Sequence, residues 1–82
     1  MLTDRERKME TIIYNLFKAK QRHTTVGALE KYMLLSESEI MEALQQLKEK
    51  KQIVEVRPGC YVVFESAKEY QHLQKYRNEA NF

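Results

Sequence analysis

The chain has 82 residues, enough for one domain around one small core and too few for two. Its 43% hydrophobic and 32% charged residues exclude a disordered tail, and a net charge of +2 (14 basic against 12 acidic side chains) excludes a strong general field toward nucleic acid or anionic membrane. A single cysteine, Cys60, excludes an internal disulfide and any multi-cysteine zinc site, which points to a reducing, cytoplasmic compartment.

The opening residues, Met1 to Arg7, are charged where a signal peptide requires an apolar stretch, and no run approaches the roughly 20 apolar residues of a membrane span. Met9, Ile12, Ile13, Leu16 and Phe17 recur at helical intervals and predict a first helix from about Asp4 to Lys20. Thr3 and Glu6 have capping-box spacing at its start, and Lys18, Lys20 and Arg22 complement the carbonyl dipoles at its end. His23-Thr24-Thr25 interrupts the pattern. Thr24 or Thr25 can cap a shorter second helix with Val26, Leu29, Tyr32 and Met33 on its inner side, in which Gly27 either marks the close approach of another backbone, the favoured reading, or simply weakens the first turn.

Ser36 and Glu39 form a second capping box before Ile40, Ala43, Leu44 and Leu47, so a third helix spans about 36–50 and ends among Lys48, Lys50 and Lys51. Ile53 to Val56 and Tyr61 to Phe64 read as two strands around Arg57-Pro58-Gly59-Cys60, a hairpin. A two-residue type II turn matches strand twist poorly, so a loop longer than Pro58-Gly59 is open and the strand register is not fixed by sequence. Ser66 and Glu69 suggest a third capping box for a last helix, about 66–80, with a narrow stripe of Tyr70, Leu73, Tyr76 and Ala80. That stripe either packs on the first helix or meets its copy in a homodimer. The fold class is thus mainly α with a small β-sheet (α+β), one domain over 1–82.

The order helix, helix, helix, hairpin resembles the winged helix, a helix-turn-helix followed by a β-hairpin wing. The likeness covers about residues 4–64 and is sharpest from Leu35 to Val54, which is similar to the serine-capped recognition helix and first wing strand of bacterial and phage regulators. Those families often carry a short β-element between the first two helices, where His23-Thr24-Thr25 stands here. Many have glycine after the recognition helix, whereas this chain has Lys51-Gln52.

The resemblance implies a small regulator that binds double-stranded DNA without a cofactor. With the third helix in a major groove, Ser36, Ser38, Met41, Glu42, Gln45 and Gln46 would face the bases, and Arg57, Thr24, Thr25, Lys48 and Lys51 would meet backbone or minor groove. Tyr70, Leu73 and Tyr76 would form a dimer interface. Glu37, Glu39 and Glu42 oppose phosphate attraction, and they favour the alternative of a protein-interaction module that uses the acidic face of the same helix. No nucleophile–base pair or metal-ligand spacing is visible; His23 and His72 read as exposed polar residues and Cys60 as packing, so no enzymatic activity is expected.

Overall fold

In the computed structural model, which describes residues 2–80 and side chains through Lys75, the chain enters its first helix at Thr3. The Thr3 hydroxyl accepts from the Glu6 N–H and the Glu6 carboxylate accepts from the Thr3 N–H, both at 3.1 Å, so two otherwise orphaned amide groups are satisfied reciprocally. Helix α1 (Asp4–Lys20) follows, then β1 (Thr24–Thr25), α2 (Val26–Met33), α3 (Glu37–Glu49), β2 (Ile53–Arg57) and β3 (Cys60–Val63). A 3-10 turn (Phe64–Ser66) leads into α4 (Ala67–Ala80). The protein is therefore mainly helical, with a three-stranded antiparallel sheet ordered β1-β3-β2.

The main core takes Met9 and Ile13 from α1, Leu29 from α2, and Ile40, Ala43, Leu44 and Leu47 from α3, closed by Ile53, Tyr61 and Val63 of the hairpin. Val62 points to the other side of the sheet, as strand alternation requires, and packs with Phe17 and Tyr70 in a second cluster. The central strand is thus buried on both faces, which is why Tyr61-Val62-Val63 is an unbroken apolar run rather than an alternating one. α4 is the cover over the second face.

Four expectations about packing and element bounds are corrected. Tyr32 is not on the inner side of α2 but 54% exposed. At 100° per residue the stripe Val26, Leu29, Met33 is centred roughly 90° away from Tyr32, and eight residues are too few to turn it inward. Gly27 faces no neighbouring backbone: a Cβ there would meet nothing within 4 Å. Ser66 does not cap α4 from an extended position; it closes the 3-10 turn and Ala67 is already helical, so the chain passes from one helical winding to the other. Phe64 belongs to that turn and not to the strand.

The hairpin resolves the mismatch between a Pro-Gly turn and strand twist by a register shift. Arg57 pairs with Cys60 across the two-residue loop Pro58-Gly59, and the ladder shifts by one residue between Glu55 and Arg57, a bulge at Val56 that restores the twist. Gly59 takes φ +78°, open to glycine without strain.

Left-handed residues follow three helices, and none is glycine: Gln21 (φ 54°), Leu34 (φ 56°) and Lys51 (φ 59°). Lys51 thereby takes the conformation that glycine often supplies after such a helix. Leu34 N–H closes α2 on the Glu30 carbonyl at 3.0 Å, yet its side chain is 89% exposed. A left-handed residue with a Cβ costs roughly 1–2 kcal/mol, and glycine removes that strain at a smaller entropic cost. Leu34→Gly is accordingly expected to raise unfolding free energy by about 0.5–1 kcal/mol, read as a higher midpoint in urea at unchanged slope.

Candidate nucleic-acid interface

The third helix stands on four fully buried residues, Ile40, Ala43, Leu44 and Leu47, and this fixes which face looks outward. Ser36, Ser38, Met41, Glu42, Gln45 and Gln46 are all exposed. Ser36 is committed locally: its hydroxyl accepts from the Glu39 N–H at 3.3 Å and donates to the Glu39 carboxylate at 3.0 Å. Gln45 donates to Glu49 across one turn at 3.3 Å, a surface contact that an incoming acceptor can replace. Met41, 44% exposed, is the one large apolar side chain on that face.

Three cations that border α3 are already paired. Lys48 Nζ lies 2.9 Å from Glu55, Lys50 Nζ lies 2.7 Å from Glu6, and Arg5 lies 3.9 Å from Glu39. Glu55 does more than pair: it also accepts from the Gly59 N–H at 2.9 Å and the Tyr61 hydroxyl at 3.3 Å, so one carboxylate ties the end of α3 to the hairpin turn. Sequence reading missed this residue. Its signal was a carboxylate four positions before the glycine of a Pro-Gly turn, within reach of that amide.

The hairpin separates two of the expected backbone contacts. Arg57 is exposed at its tip and donates to Gln74 of α4 at 3.3 Å, whereas Lys51 is exposed at its base, beside a hollow also lined by Glu10 and Glu65. Thr24 is corrected outright: it is 1% exposed, its hydroxyl has no hydrogen-bond partner among the described residues, and it cannot reach a phosphate. Thr25 is exposed and caps α2, accepting from Ala28 N–H at 3.2 Å. Its partner across the sheet is Cys60, so the start of α2 sits beside the hairpin tip.

The dimer residues also divide. Tyr70 is 3% exposed in the single chain, tilted against Phe17 with ring centroids 6.5 Å apart, so it belongs to the chain's own core and not to an interface. Leu73 is half-buried on the same cluster. Tyr76 lies outside the residues whose side chains are described. The tyrosine hydroxyl explains the correction at His23, which is half-buried rather than exposed: His23 Nδ1 and Tyr70 OH are hydrogen-bonded at 3.0 Å with the rings edge-on. Cys60 is half-buried and free. Among the described residues no helix is long and apolar enough to cross a membrane, and no three His, Cys, Asp or Glu side chains are grouped to hold a metal.

Protonation follows from these contacts. Glu6 is held below its ordinary 4.5 by the hydrogen bond from Lys50 and then by the Thr3 amide; Glu39 by Ser36; Glu55 by the Gly59 amide and then Lys48. His23 is held below its ordinary 6.5 by burial, and next by the charges of Arg57 and Arg22. For a depressed group, stability is fully present above the unfolded value and is lost as pH falls through the folded one. A two-stage loss is expected: the first below 6.5 from His23, the second below 4.5 from the three carboxylates. Melting temperature recorded from about pH 7 to about pH 3 checks it, and Glu6→Gln should flatten the second stage while lowering stability at neutral pH.

No protein-family model matches the chain, and no curated protein or solved structure matches it either.

Proposed function

We propose that this chain is a winged-helix protein that binds double-stranded DNA, with α3 entering a major groove and the β2–β3 hairpin as the wing on backbone or minor groove. One observation carries the reading: Ser38, Met41, Glu42 and Gln45 stand exposed on the helix face opposite a stripe that is wholly buried, while Arg57 is exposed at the tip of the hairpin that follows. A rigid helix with amide and hydroxyl groups outward suits base edges, with glutamine toward adenine and Glu42 toward a cytosine amino group. The element order, including the two-residue β1 in the sheet, supports the same reading.

A second reading is favoured by a different observation. Lys48, Lys50 and Arg5 are all engaged by carboxylates, and the outward face keeps Glu37, Glu42 and Glu49. On that account α3 docks on a basic protein surface, with Met41 as its apolar anchor. Titration of the chain into fluorescently labelled duplex DNA at about 50 and about 200 mM salt separates the two. DNA binding that weakens steeply with salt supports the first reading, and no binding at the lower salt overturns it.

A further inference from the structure

Cations without an ion pair among the described residues also gather beside α1 and α2. Between the end of α1, β1 and α2 is a groove of about 290 Å³, walled by Lys20, Arg22, His23, Thr25 and Tyr32. Tyr32 separates it from a second hollow that adds Gly27 and Lys31. No carboxylate lines either hollow, and Lys20, Arg22 and Lys31 make no ion pair among the described residues, in contrast to the three cations around α3.

Two further features point to the same groove. His23, on one wall, is held below its ordinary 6.5 first by burial and then by the charges of Arg57 and Arg22. Gly27 has no Cβ and open space before it, which leaves the backbone of the first turn of α2 uncovered beside the groove. Cations, a helix start and an exposed aromatic ring offer an anion charge-assisted hydrogen bonds and offer an attached ring a flat wall. The volume is near the lower limit of small-molecule sites, about 300 Å³.

We propose that this groove is a phosphate-binding site, taking the phosphate group of a nucleotide with Lys20 and Arg22 as its cationic contacts and Tyr32 as the wall for the attached sugar or base. The phosphate can belong to a nucleic-acid strand or to a free nucleotide, and the site does not depend on α3 lying in a DNA groove.

The test uses the full chain, isotope-labelled, titrated separately with inorganic phosphate, adenosine monophosphate and duplex DNA, following the amide signals of Thr25, Gly27 and Ala28. Two charge-assisted contacts are worth at least about tenfold in affinity. Lys20→Ala/Arg22→Ala should therefore weaken binding by that factor or more. Arg7→Ala/Lys8→Ala, which removes the same charge about 18 Å away along α1, should leave it within about twofold. Both pairs are exposed, and the remaining amide spectrum verifies that each variant is folded. Shifts with adenosine monophosphate and with duplex, both lost in the first variant, assign the site to strand phosphate as well as free nucleotide. Shifts with the free nucleotide alone assign the site to free nucleotide and not to strand phosphate. Shifts with duplex alone, lost in the first variant, assign it to strand phosphate. No shift with any of the three, or equal weakening in both variants, overturns the proposal.

Discussion

Replacing Phe17 with alanine is expected to lower the unfolding free energy by about 3–5 kcal/mol, close to half of what a small domain possesses. Phe17 is fully enclosed, and its neighbours Val62 and Tyr70 come from the central strand and the last helix. Truncation removes the transfer energy of the ring and leaves a cavity where three elements meet, so local collapse would have to move all of them. α4 should suffer most, because Tyr70 is its deepest attachment and the Arg57–Gln74 contact is exposed. The check is urea unfolding at neutral pH, with hydrogen exchange over residues 67–75 to locate the loss. Tyr70→Phe provides the contrast: it keeps the ring but leaves His23 Nδ1 without its partner, and a loss of about 1 kcal/mol is expected. A Phe17→Ala variant within about 1 kcal/mol of the parent would show that the second cluster does not hold α4 in place.

On the DNA-binding reading, Gln45→Ala is expected to reduce discrimination at one base-pair position by about 1–3 kcal/mol and to leave the other positions unchanged. Gln45 is central on the outward face, and its only described contact is the long one to Glu49, so little intramolecular structure is lost with it. Arg57→Ala should behave differently, weakening binding to all duplexes alike and reducing the salt slope by about one. Anisotropy titrations against a set of singly substituted duplexes measure both. Equal effects at every position from both variants would remove α3 from the groove.

The helices were legible because their signals are local. Thr3 with Glu6 and Ser36 with Glu39 close the capping boxes that their spacing announces, and the buried stripes of α1 and α3 fall where the 3.6-residue rhythm puts them. Legibility fails where a residue's surroundings come from distant sequence. Thr24 looks like a surface cap residue until β3 and α1 enclose it. His23 looks like a solvated loop residue until Tyr70, 47 positions on, supplies a hydroxyl. Gly27 suggested contact because helical glycine usually needs a reason, yet it faces open space. The candidate interface divides in the same way: the outward face of α3 follows from its inward one, whereas the pairing of Lys48 with Glu55 and of Lys50 with Glu6 depends on register and tertiary packing.

The two-residue strand β1 has a bearing on how the chain reaches its folded state. By inserting the third decade of residues beside the seventh, it interleaves the first half of the chain with the second, and the Glu6–Lys50 and His23–Tyr70 links cross the same divide. Neither half can complete its structure first, because each lacks a strand or a charge partner that only the other owns. Closing such long loops costs chain entropy before any reward arrives, so assembly should be slower than in a plain helical bundle of equal length, and all-or-none.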